Sequence, residues 1–114
     1  MHEDLQLKIT DTLEGTGKAA VKGALLICHY EGFLEDGTKF DSSLQHGRPF
    51  QFVIGSGRVI KGWDQGLMGM KEGGKRTLFV PSYLGYGERQ KGLITPHSNL
   101  IFHIEMLEVR PRED

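Results

Sequence analysis

The chain has 114 residues, the size of one ordinary domain, with no room for a second sizeable core. Charged residues at 25%, hydrophobic residues at 38% and a net charge of -1 describe a soluble globular protein and argue against a nucleic-acid partner, which calls for a basic stripe. The single cysteine, Cys28, excludes an intrachain disulfide, and no apolar run is long enough to span a bilayer.

In chain order, Met1-His2-Glu3-Asp4 lacks the basic start and apolar run of a signal peptide, so none is expected. Leu5, Leu7 and Ile9 alternate with polar residues and predict a strand with one buried face. Asp11 to Ala20 is polar and glycine-bearing and reads as a loop. Val21 to Leu34 is a longer strand, rich in Leu25, Leu26, Ile27, Tyr30 and Phe33. Asp36-Gly37 is a hairpin turn signal, and Thr38 to Phe40 pairs back on the preceding strand. Pro49 to Ile54 places Phe50, Phe52 and Ile54 on one side. Ile60, Trp63, Leu67 and Met70 recur at helical spacing and predict a short helix. Gly62, Gly66 and Gly69 interrupt that stripe, and a glycine weakens a helix interior by about 1 kcal/mol, so the helix needs a sheet to lie on. Lys75 to Val80 alternates Arg76, Leu78 and Val80 against Thr77 and Phe79. Asn99 to Val109 is the longest strand, with Leu100, Phe102, Ile104 and Met106 in one row. The expected architecture is α+β: an antiparallel sheet with one short helix on its concave face. Residues 1–114 form a single domain, with flexible ends expected at 1–4 and 110–114.

The motifs exclude several chemistries. One cysteine and five scattered histidines make no standard zinc site, so no metal is expected. Gly55-Ser56-Gly57 lacks the lysine and hydroxyl of a phosphate-binding loop and reads as a tight turn into the helix. No serine or cysteine stands in a nucleophile elbow, and Cys28 lies in an apolar strand as a small buried hydrophobe. What remains is the aromatic set Tyr30, Phe40, Phe50, Phe52, Trp63, Tyr86 and Phe102. Any one of these could simply fill a core. Together with Asp41 beside Phe40 and with Tyr86 in a glycine-flanked loop, they suggest an apolar cup with a carboxylate and a phenol at its rim.

Four segments resemble the signature of the FKBP-type peptidyl-prolyl cis-trans isomerases. They are Tyr30-Glu31-Gly32-Phe33-Leu34-Glu35-Asp36-Gly37-Thr38-Lys39-Phe40-Asp41-Ser42-Ser43, Val59-Ile60-Lys61-Gly62-Trp63-Asp64-Gln65-Gly66-Leu67, Leu84-Gly85-Tyr86-Gly87, and Ile94-Thr95-Pro96-His97-Ser98-Asn99-Leu100-Ile101-Phe102. They occur in the family's order and span nearly the whole chain. The resemblance implies a twisted antiparallel sheet curled around one short helix, with a pocket between them. By similarity, Trp63 forms the pocket floor, and Tyr30, Phe40, Phe50, Val59, Ile60 and Phe102 form its walls. The Ile60 N–H and the Tyr86 hydroxyl would bind ligand carbonyls, and Asp41 would make polar contacts at the rim. Asp41, Tyr86, Ile60, Phe40 and Trp63 are thus the implied catalytic set. Phe52 faces the same region in the strand register.

The implied activity is rotation about Xaa-Pro peptide bonds in client proteins, with inhibition by tacrolimus and rapamycin. The barrier of roughly 18–20 kcal/mol comes from amide resonance, and no covalent bond breaks, so neither cofactor nor nucleophile is required. Proline-containing segments and macrolides are the expected partners, and a cytoplasmic monomer that assists folding is the expected setting. The compact form and the Leu84-Gly85-Tyr86-Gly87 loop resemble bacterial members. Thr95 stands where many members carry proline, and the Glu88 to Gly92 loop, with Arg89, Gln90 and Lys91, is about one residue shorter than in some. The alternative reading is a weakly active binding or chaperone module that uses the same pocket.

Overall fold

The computed structural model describes residues 5–112. Residues 1–4 and 113–114, which hold most of the expected flexible ends, lie outside the described residues. Six strands run antiparallel: β1 (Lys8–Leu13), β2 (Leu25–Leu34), β3 (Lys39–Ser42), β4 (Phe50–Val53), β5 (Lys75–Val80) and β6 (Leu100–Arg110). One helix, α1 (Lys61–Gly66), precedes β5. The sheet order is β1-β5-β6-β2-β3, and β4 also pairs with β2.

The long central strand β2 explains how both β3 and β4 fit on one edge. Its first half, Leu25 to Cys28, pairs with Val53 to Phe50, and its second half, Glu31 to Phe33, pairs with Ser42 to Lys39. Between them the chain leaves the edge in a 3-10 turn at Ser43–His46. There the Ser43 hydroxyl accepts from the Tyr30 N–H at 2.9 Å, so a side chain replaces the missing strand partner. The expected Asp36-Gly37 hairpin is present: Gly37 has φ 92°, and the Leu34 N–H donates to Thr38 O at 2.8 Å. β3 runs two residues beyond the expected Phe40, to Ser42.

The strongest alternations fold as written. In β5, Arg76, Leu78 and Val80 are buried, and in β6 Leu100, Phe102, Ile104 and Met106 are buried. The helical stripe of Trp63, Leu67 and Met70 also faces the core, although α1 itself ends at Gly66 and the chain turns at Gly69 with φ 79°. Arg76 explains part of that ending. Its buried guanidinium donates to the Gly66 and Met68 carbonyls at 2.9 and 3.2 Å, and it holds Asp11 of β1 with two bonds of 2.7 and 3.2 Å. One side chain thus caps the helix end and ties down the outermost strand.

Two expectations need correction at the amino-terminal side. The first strand is Lys8–Leu13 rather than Leu5 to Ile9, and it is exposed along its whole length, with Ile9 47% and Leu13 50% exposed. It is an edge strand whose place is set by pairing with β5 and by the Arg76–Asp11 ion pair, so its own alternation decides little. The loop therefore starts after Leu13, not at Asp11. The second strand begins at Leu25 rather than Val21, because the Ala24 N–H closes a turn on Val21 O and Gly23 takes φ 92°. At the other end, β6 continues through Arg110, one residue into the expected flexible tail.

Candidate functional site

The site lies between α1 and the sheet face formed by β2, β3, β4 and β6. A cavity of about 230 Å³ is lined by Tyr30, Phe40, Asp41, Phe50, Arg58, Val59, Ile60, Trp63, Tyr86, Lys91 and Phe102. All nine residues named above as pocket residues meet there. Phe52 does not reach the cavity surface. It is buried beneath the floor, 5.6 Å from the Trp63 ring and stacked on Phe50 at 5.7 Å.

Trp63 is fixed from several sides. Its ring stands nearly perpendicular to Tyr30, Phe50 and Phe102, at 5.1, 5.7 and 5.3 Å between centroids. Edge-to-face pairs of this kind add about 0.5–1.5 kcal/mol each beyond area burial. The Trp63 indole N–H is buried with no hydrogen-bond acceptor among the described residues. A buried unsatisfied donor costs roughly 1–3 kcal/mol.

The wall opposite is set by a glycine. Gly32, in β2, faces Phe40 and Phe102, whose rings meet edge to face at 5.7 Å. A Cβ on Gly32 would lie 2.6 Å from Phe40 Cζ and 3.0 Å from Phe102 Cε1. The missing side chain lets both rings lie against the strand and leaves the cavity open.

Besides the Trp63 indole N–H, the polar side chains of the lining are Tyr30, Asp41, Arg58, Tyr86 and Lys91. Tyr30 donates its hydroxyl proton to Asp41 Oδ2 at 2.6 Å. Asp41 Oδ1 accepts from the Ser42 N–H at 2.8 Å and lies 3.0 Å from His46 Nε2. Burial opposes the Asp41 charge, but the Tyr30 hydroxyl, His46 and the Ser42 amide outweigh it and hold the carboxyl below its usual range. Burial, and after it the same carboxylate, pushes the Tyr30 phenol up, so Tyr30 stays a proton donor. Tyr86 is also raised, first by burial and then by Asp41, with Arg89 opposing. The Tyr86 hydroxyl and the Ile60 N–H donate no hydrogen bond among the described residues. Two free donors, one ionised acceptor and the Arg58 and Lys91 cations therefore edge an otherwise aromatic and aliphatic cup.

The loop that carries Tyr86 is tightly closed. Lys91 and Ile94 exchange backbone hydrogen bonds of 2.9 and 2.8 Å, Ile94 is buried, and the His97 N–H donates to Gly87 O at 2.7 Å. Arg89 and Lys91 lie over the Tyr86 ring at 5.9 and 5.4 Å. The Gly55-Ser56-Gly57 turn has no vacancy for a phosphate: its Gly55 and Gly57 N–H groups both donate to the Asp64 carboxylate, at 2.8 and 3.0 Å.

Sequence reasoning missed Gly32, His46, Arg58 and Lys91 as parts of this site. Gly32 carried a usable signal, since a glycine inside a strand marks a close approach. His46 is one of five scattered histidines, Arg58 has no motif around it, and Lys91 stands out only as a member of the short Glu88 to Gly92 loop. Only the fold brings them together.

The family model for FKBP-type peptidyl-prolyl cis-trans isomerase matches residues 16–107. A protein of Neisseria meningitidis serogroup A named FK506-binding protein is 57% identical over 104 residues, covering 90% of this chain and 95% of that one. Peptidyl-prolyl cis-trans isomerase FKBP2 of Homo sapiens is 48% identical over 111 residues, covering 96% and 78%. The crystal structure of AtFKBP13 superposes with a TM-score of 0.84 at 46% identity, covering 90% of this chain and 91% of that chain. FkpA from Escherichia coli gives the same TM-score at 37% identity, covering 92% of this chain and 48% of that one. A family match across most of the chain, near-full-length relatives and a shared fold agree with the aromatic cavity and its rim: the chain belongs to the FKBP-type peptidyl-prolyl cis-trans isomerase family.

Proposed function

We propose that the Trp63 cavity takes the proline ring of a client segment and catalyses rotation of the preceding peptide bond, and that tacrolimus and rapamycin compete for the same cavity. The observation that carries this reading is the composition of the cavity: an aromatic floor and walls, lined also by one carboxylate, two phenols and two cations.

The chemistry follows from the amide. Planarity gives the ground state a polarised C–N bond, and twisting through the transition state removes that conjugation. An apolar surround stabilises the less polar twisted form relative to the planar one. The Ile60 N–H and the Tyr86 hydroxyl, both free to donate, can hold flanking carbonyls in the twisted arrangement. Asp41 fixes Tyr30 across the cavity mouth, so the wall does not have to reorganise as the bond turns. Each tenfold in rate needs about 1.4 kcal/mol, so a few such contacts supply several powers of ten.

The relatives named FK506-binding protein support macrolide binding. The reading extends to assistance in protein folding by a cytoplasmic monomer, in line with the single buried, unreactive cysteine. The test is a protease-coupled assay on a Xaa-Pro tetrapeptide with and without rapamycin. Rapid, rapamycin-sensitive isomerisation is expected. Rapamycin binding without catalysis would reduce the site to a binding module. In Tyr86→Phe, loss of one hydrogen bond of about 0.5–1.5 kcal/mol should lower kcat/KM up to about tenfold. A larger effect on catalysis than on rapamycin affinity would assign the hydroxyl to the transition state.

A further inference from the structure

A second groove, of about 620 Å³, adjoins the prolyl cavity and shares Arg58, Val59, Ile60, Tyr86 and Lys91 with it. It lies between the turn before α1 and the Tyr86 loop. Its lining carries four cations, Arg58, Lys61, Arg89 and Lys91, against a single carboxylate, Asp64. That carboxylate is already engaged, since both of its oxygens accept backbone N–H groups of the Gly55 to Gly57 turn. None of the four cations forms an ion pair with a described residue, and all four are exposed. Arg89 and Lys91 are instead held over the Tyr86 ring, which positions their charge without neutralising it. The chain as a whole has a net charge of -1, so this concentration of positive charge is local.

We propose that this groove is a specificity subsite for acidic residues of the client, so that the enzyme favours prolines with Asp or Glu a few residues away. The inference rests on the isomerase reading, because the shared wall of Ile60 and Tyr86 puts the groove next to a chain seated in the prolyl cavity. Charge complementarity selects what it carries there. Single exposed ion pairs contribute little, but four cations lining one groove raise the positive potential along it together.

The test uses hexapeptides with an Ala-Pro core and Glu, Ala or Lys two residues before or after the proline, followed by exchange NMR so that no helper protease adds its own preference. At low ionic strength the Glu peptide on the favoured side should exceed the Lys peptide in kcat/KM by about three- to tenfold. The ratio should collapse towards one at 1 M salt, where the screening length falls to about 3 Å. In a Lys61→Glu/Arg89→Glu double variant the ratio should fall to one or invert, and because it is taken within one enzyme it is independent of overall activity. If that variant does not fold, the salt dependence of the parent ratio decides alone. Equal rates on all peptides, with the Ala peptide still isomerised, would overturn the subsite and leave the isomerase reading standing. No catalysis on any peptide would overturn both. Cosedimentation with phosphatidylserine vesicles in the absence of any peptide preference would reassign the cations to an anionic membrane surface and likewise overturn the proposal.

Discussion

Gly62→Ala sets two effects of known sign against each other. Gly62 lies inside α1, where alanine is favoured over glycine by about 0.8–1.0 kcal/mol. From propensity alone the substitution should stabilise. The packing says otherwise. A Cβ at Gly62 would sit 2.5 Å from Val80 Cγ1, 2.9 Å from Cγ2 and 3.2 Å from Cβ, where ordinary contact begins at 3.4 Å. Rotating Val80 cannot relieve this, because both methyls and the branch point itself are too close and the side chain is fully buried. The helix must instead move off β5 by about 1 Å, and a gap of that size forfeits a quarter to a half of each dispersion contact across it. Overpacking of this kind costs about 1–3 kcal/mol. With overpacking near the middle of that range the steric effect wins, and the net loss is about 1 kcal/mol, which lowers Tm by roughly 4–8 °C in a domain of this size. Trp63 follows Gly62 directly, so kcat/KM should fall further than stability does, since a misplacement of about 1 Å can cost 10²-fold. Thermal unfolding followed by circular dichroism gives the first number and the peptide assay the second. The Gly62→Ala/Val80→Ala double variant should be more stable than the sum of the singles predicts, because the clashing methyls are gone. A Gly62→Ala protein that melts at or above the parent, with an additive double-variant cycle, would refute the reasoning.

Three further outcomes are expected. Gly32→Ala should displace the Phe40 and Phe102 rings and lower kcat/KM by about tenfold or more while the protein stays folded, and unchanged activity would show that the rings yield without closing the cavity. Cys28 should resist thiol reagents in the native state. Burial pushes its thiol up to about 12, which cuts the thiolate fraction at pH 8 about a thousandfold, so labelling that matches the unfolded protein's rate would contradict the buried placement. Asp41 has a folded pKa below its unfolded one, so its contribution is fully present above the unfolded value of about 3.9 and is lost as pH falls through the folded value. The Tm difference between parent and Asp41→Asn should therefore be constant at neutral pH and shrink below about pH 4, and a difference unchanged down to pH 3 would exclude the Tyr30–Asp41–His46 arrangement as its source.

How much of this was legible in the sequence depends on which force sets each feature. Rows buried on one face declare themselves by period, and β5 and β6 fold where their alternation places them. The aromatic residues are legible as a set through Asp41 beside Phe40 and the glycine-flanked Tyr86, while Phe52, in the same set, goes to the core. β1 was misplaced for the opposite reason. Its residues bury nothing, and its register comes from the β5 backbone and from Arg76, which lies 65 positions away from Asp11 in sequence. Arg76 itself was legible only as a member of a buried row, and its two tasks appear once α1 and β1 converge on it.

The glycines make the same point more sharply. Read along the chain, Gly62 and Gly66 are defects in a helix, each a small loss of stability. Across the helix–sheet contact they are the condition for the fold. Cβ atoms there would stand 2.5 Å from Val80 and 2.9 Å from Leu78, in the buried row of β5. A helix weakened by two glycines can lie closer to the sheet than a strong one, and that depth sets the position of Trp63 between them as the floor of the cavity. Local propensity was given up where close approach mattered more, and the residues that look weakest one at a time are those that position the site.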